Sequence, residues 1–160
     1  MTRLLSIVAA MLLFVAGSAA AHYYEIGGLQ IIDPWARATV PSAANGVVYV
    51  AISNEGETPD RLIAVETAMA ERAELHTVLM EDGVAKMRAI ETIELAPGET
   101  ARLEPGGDHI MLFGLKGPLI EGETLALRLV FEVAGPIEIE LIVEAAGAGA
   151  DDHSEHGAEQ

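Results

Sequence analysis

An all-β sandwich is the fold the sequence predicts, and three observations predict it. Short β-prone runs recur at roughly 8 to 12 positions with turn formers between them, the spacing of sandwiches and barrels. Two late runs, Leu125-Ala126-Leu127-Arg128-Leu129 and Ile137-Glu138-Ile139-Glu140-Leu141, alternate so that their charges fall on one face only. No stretch carries a helical period of any length, and Thr67 to Glu74 is the best candidate for a turn or two of helix.

The first residues read as an export signal. Thr2-Arg3 gives a small positive start, Leu4 to Ala16 is apolar apart from Ser6, and Gly17 to Ala21 supplies the small residues of a cleavage site. The expected organisation is a signal peptide over 1–21, cut after Ala21 or one residue earlier, one domain over 22–144, and an acidic, His-containing flexible tail over 145–160. The apolar run falls short of the roughly 20 residues a span requires, so no stable membrane insertion is expected once the signal is removed.

Within the domain the expected strands are Leu29 to Ile32, Ala36 to Val40, Gly46 to Ser53, Asp60 to Glu66, Ala73 to Val78, Ala85 to Ile90, Thr100 to Leu103, His109 to Leu115, Thr124 to Phe131 and Ile137 to Val143. Pro41-Ser42, Asn54-Glu55-Gly56, Glu81-Asp82-Gly83, Pro97-Gly98, Pro105-Gly106-Gly107 and Gly135-Pro136 separate them. From Ala145 the chain turns to Ala and Gly and then to acidic residues, a composition that buries too little apolar surface to order itself.

Composition narrows the chemistry. The 160 residues include no cysteine, which removes disulfides, thiolate metal sites and thiol nucleophiles together. A domain of roughly 120 residues is large enough to stabilise itself without disulfides. The net charge of −16, from 25 acidic and 9 basic residues, opposes a nucleic-acid partner, which needs a basic surface.

Histidine and methionine carry what remains. Past the signal lie His22, His76, His109, His153 and His156, with Met69, Met80, Met87 and Met111. A hairpin folded about Glu81-Asp82 sets His76 and Met87 on nearly opposite rungs. His109 and Met111 are i and i+2 on a strand and share a face. Two imidazoles and two thioethers form a soft, neutral set that suits Cu(I) and serves zinc, calcium or magnesium poorly. Lacking thiolate, the set fits holding Cu(I) for transfer better than electron transfer. Taken singly, each methionine reads more readily as a gap-filler and each histidine as a hydrogen-bonding group; the joint arrangement carries the reading.

The same residues resemble a known family. His76, ten intervening residues, Met87, twenty-one more, and His109-x-Met111 reproduce the ligand spacing of the PCuAC-type periplasmic copper chaperones at every position. Trp35-Ala36-Arg37-Ala38-Thr39, Asn45-Gly46, Glu74-Leu75-His76, Met80-Glu81-Asp82-Gly83 and Pro105-Gly106-Gly107 resemble that family as well, so that the likeness runs from about Asp33 to Val143. The resemblance implies a cupredoxin-like Greek-key sandwich and a periplasmic Cu(I) carrier. It implies delivery for cytochrome c oxidase copper-site assembly, to an oxidase subunit or another metallochaperone.

Three further features stand beside that site. Met80, four residues beyond His76, reads either as a landing ligand or as packing against the loop. His153 and His156 lie among Asp151, Asp152, Glu155 and Glu159, where imidazole with carboxylate suits a second site for Cu(II), and where a plain solvated tail is the other reading. His22, if cleavage leaves it first, would chelate copper with the free amine, the arrangement an exported copper enzyme would use. No general base, nucleophile or oxyanion hole is recognisable, so a carrier rather than an enzyme is expected. A copper-sequestering resistance protein would use the same residues.

Overall fold

The computed structural model describes residues 23–149. They form eleven strands and no helix: β1 Tyr23–Ile26, β2 Leu29–Arg37, β3 Asn45–Asn54, β4 Asp60–Glu66, β5 Ala70–Glu81, β6 Val84–Ile90, β7 Ile93–Leu95, β8 Thr100–Leu103, β9 His109–Leu115, β10 Thr124–Phe131 and β11 Gly135–Glu144. One hydrogen-bonded path, β6-β5-β9-β3-β2-β11-β10-β4-β7, folds back on itself, with β1 beside β2 and β8 beside β3. The all-β sandwich expected from the alternating runs is therefore the fold.

Alternation builds the core. Leu75, Ile110 and Leu112 on β5 and β9 face inward with Ile52 of β3, while Leu127 and Leu129 of β10 and Ile139 and Leu141 of β11 close the other side. Burying one such side chain contributes about 1.5–3 kcal/mol, and along β10 every second residue does so. All pairings but one are antiparallel. The exception joins β11 to β2 in parallel over Ile142↔Trp35 to Glu144↔Arg37.

Four differences from the sequence-based expectation have physical causes. The two runs on either side of Asp33-Pro34 are one strand, β2, which passes a bulge between Ile32 and Trp35 with Asp33 at φ 45°. Thr67 to Glu74 is not helical. Thr67 Oγ1 accepts the Met69 amide at 3.2 Å and closes a turn, after which Ala70 to His76 pair with β9. β1 and β7 are additional strands. β1 is joined to β2 by Gly27-Gly28, both at positive φ, the conformation a two-residue hairpin turn demands. The described residues contain no helix long and apolar enough to cross a membrane.

Candidate metal centre

β5 is the organising strand of the site. It pairs with β6 on one side and β9 on the other, so its outward residues meet both neighbours rung by rung. His76 lies directly opposite His109, and Glu74 directly opposite Met111. Across the hairpin, Asp82 and Gly83 take φ 53° and 79°, which sets Glu81 against Val84 and Met87 against Val78. Met87 therefore lies diagonal to His76, one same-face rung nearer the turn than direct opposition would give. Cross-strand partners share a face, so His76, Met87, His109 and Met111 all project from the outer surface of the sheet, while Leu75, Ile110 and Leu112 between them face the core.

The face is graded from dry to wet. His109 is 4% exposed and Met87 59%, with His76 and Met111 between them. The two imidazole centroids stand 5.9 Å apart, and Phe113, next outward residue on β9, lies 5.7 Å from the His76 ring. Met87, His109 and Met111 line one cleft of about 500 Å³, whose far wall is Arg37, Asn45 and Tyr49 of the β2–β3 region. Arg37 is held there by Tyr49 and Trp35, 5.4 and 5.8 Å from their ring centroids, and donates through Nη2 to the Ala148 carbonyl at 3.0 Å. Burial raises the Tyr49 phenol above its ordinary pKa against a lowering pull from Arg37, so it faces the cleft neutral.

Each histidine has one nitrogen engaged. The tight turn over Glu104 to Asp108, with Gly107 N donating to Glu104 O at 3.0 Å, turns the Gly107 carbonyl toward His109 Nδ1 at 2.9 Å. A carbonyl only accepts, so Nδ1 carries the proton and Nε2 keeps its lone pair. His76 Nε2 is 3.0 Å from Glu74 Oε2, and its Nδ1 is buried without a partner. The hydrogen bond with His76 holds the Glu74 carboxyl below the usual carboxylate range, with Arg72 adding to the effect and partial burial opposing it.

Glu74 is the residue the sequence reading passed over as part of the site. Its signal was present: i−2 from His76 on a strand is the same face. Met80 also lies on this face, opposite Ala85, and is 68% exposed. Met69 packs on the core edge away from the site. His22, His153 and His156 fall outside the described residues. Among the described residues, no three His, Asp or Glu side chains converge as a metal cluster. A metal on this face would therefore draw on sulfur to complete its shell.

Comparison with known proteins agrees with this architecture. The family described as "Putative lipoprotein LpqE-like" matches residues 29–143. A protein of Leifsonia xyli subsp. xyli described as "Putative lipoprotein" is 30% identical over 142 residues, spanning 81% of this chain and 83% of that one. Among solved structures, the copper-bound PCuAC domain from PmoF2 superposes with TM-score 0.68 at 30% identity, covering 78% of this chain and 98% of its own. The apo PCuAC domain from PmoF1 gives 0.67 at 32%, covering 78% and 99%. The solution structure of CuI-DR1885 from Deinococcus radiodurans gives 0.55 at 28%, covering 81% and 85%. The chain thus belongs to the LpqE-like family, and its domain is of the PCuAC type.

Proposed function

We propose that this protein is an exported Cu(I) carrier that holds one ion with His76, Met87, His109 and Met111 and passes it to an acceptor protein in the periplasm. The observation that carries the reading is the single rung joining His76 to His109, flanked on the same face by Met111 and Met87. Two imidazoles and two thioethers are neutral and soft, a set that matches Cu(I) and leaves the hard divalent cations poorly served. His109 offers a lone pair at Nε2 because its other nitrogen is committed to Gly107. The copper-bound relatives with the same fold support the choice of metal.

Transfer rather than storage is supported by the gradient of exposure. A ligand as open as Met87 lets an incoming donor attack the bound ion without unfolding anything. The finer destination, the copper site of cytochrome c oxidase reached through an oxidase subunit or a second metallochaperone, rests on the family resemblance. The export signal over 1–21 belongs to the same proposal.

Competition against a colorimetric Cu(I) chelator tests the site. One ion per chain is expected, and Met87→Ala and Met111→Ala should each weaken binding by more than about 100-fold, beyond the 10–100-fold typical of losing a group that merely supports a ligand. Unchanged affinity in both variants would sink the site. Loss of oxidase activity at low copper in a deletion strain, without loss of growth at high copper, would support delivery over sequestration.

A further inference from the structure

We propose that Glu74 is a positioning residue that keeps the His76 proton on Nε2, so that the two histidines offer different nitrogens to the metal: Nδ1 from His76 and Nε2 from His109. The inference rests on the Cu(I) reading of this face and adds to it a residue and an orientation.

The geometry begins with the rungs. Arg72, Glu74 and His76 alternate along β5 on the site face, opposite Phe113, Met111 and His109 of β9. Glu74 bridges its two same-face neighbours: Oε2 lies 3.0 Å from His76 Nε2, and Oε1 lies 2.8 Å from Arg72 Nε. Arg72 is itself seated over the Phe113 ring at 4.4 Å from the centroid. The carboxylate is thereby fixed from behind, and its free oxygen is committed to the imidazole.

A neutral imidazole has one N–H and one lone pair, and an ionised carboxylate only accepts. The proton of His76 consequently sits at Nε2, and the lone pair at Nδ1. That nitrogen is buried and has no hydrogen-bond partner, in a side chain that is itself 12% exposed. Buried polar atoms are nearly always satisfied, and this one stands without a partner on the strand face that His76 shares with Met87, His109 and Met111. At His109 the Gly107 carbonyl does the reverse, taking the Nδ1 proton at 2.9 Å. A carboxylate on the far nitrogen also raises the basicity of the coordinating one, which a backbone carbonyl does less strongly. His76 is then the stronger and His109 the drier of the two nitrogen ligands.

The two readouts are long-range 1H–15N correlation of the imidazoles and Cu(I) affinity. In the apo protein at about pH 8, well above the ordinary histidine pKa of about 6.5, His76 should appear as the Nε2–H tautomer and His109 as the Nδ1–H tautomer. Adding Cu(I) should move the Nδ1 resonance of His76 and the Nε2 resonance of His109. Glu74→Gln, nearly isosteric, should give His76 a mixed tautomer and weaken Cu(I) binding about 10–100-fold, while the backbone amide spectrum stays that of the wild type. An Nδ1–H tautomer at His76 in the wild type, a Cu(I) shift on its Nε2, or a Glu74→Gln protein with both tautomer and affinity unchanged would each overturn the proposal. A wild type that takes up no Cu(I) would instead overturn the copper reading, and the two failures are separable because the apo tautomers are read without metal.

Discussion

Asp60 shows how much a single buried carboxylate organises in this domain. It is almost wholly enclosed, and it accepts three backbone amides: Arg61 at 2.7 Å and Val133 at 2.9 Å on Oδ1, and Ala134 at 2.8 Å on Oδ2. These bonds tie the β10–β11 turn to the start of β4. Asp60→Ala should cost about 3 kcal/mol of stability, since it removes the acceptor of three part-buried backbone amides. The urea midpoint should fall accordingly, with Cu(I) affinity unaltered because the side-chain bonds of Asp60 run to Arg61, Val133 and Ala134 and to no residue of β5, β6 or β9. At this scale the common face of the four proposed ligands was legible in the sequence. His76, Met87, His109 and Met111 share one face because parity along a strand is fixed. Glu74 obeys the same parity yet carries no role in the sequence-based site, because an acidic residue beside a histidine on an acidic chain stands out only once a 3.0 Å contact is visible. The tautomers were illegible for a related reason: the Gly107 carbonyl is aimed by a turn, and no side chain advertises it.

Among the elements, the β5–β6 hairpin is the most consequential. Its register depends on two residues at positive φ, Asp82 and Gly83, and β6 has a neighbour on one side only. Side-chain direction alternates, so a one-residue slip in β6 turns every side chain to the opposite face. Deleting Lys86 should therefore abolish the contribution of Met87 and match Met87→Ala in the Cu(I) titration, more than about 100-fold weaker than wild type. A deletion protein that binds as tightly as the wild type would show that register is not what presents the thioether. The Asp-Gly signal made this hairpin readable in advance, though Met87 falls opposite Val78 rather than His76. Elements that went unread were short or interrupted. β7 spans three residues, too few for alternation to register, and the Asp33-Pro34 pair looked like a break where the chain merely bulges. The turn at Gly27-Gly28 did announce β1, but it stood next to the expected cleavage site.

At the scale of the whole molecule, the sandwich separates stability from binding. Inward residues of β5 and β9 build the core, and outward residues of the same strands include three of the four proposed ligands, so those positions can change without emptying the interior. Binding still feeds back on stability, because an ion held only by the folded state adds RT ln(1 + [L]/Kd), about 2.7 kcal/mol at a hundredfold excess over Kd. For a domain of this size the melting temperature should rise by roughly 10 °C under that condition, and scanning calorimetry would register it. The Met87→Ala/Met111→Ala double variant should show almost none of the rise.

β6 is the outermost strand on its side of the sheet, and it carries Met87. An ion gripped by Met87 together with His76, His109 and Met111 stitches the border of the sheet to its second and third strands. Loaded and empty protein would then differ most in how firmly that border is hemmed, a difference that an acceptor feeling along the margin would meet before any ligand is exchanged.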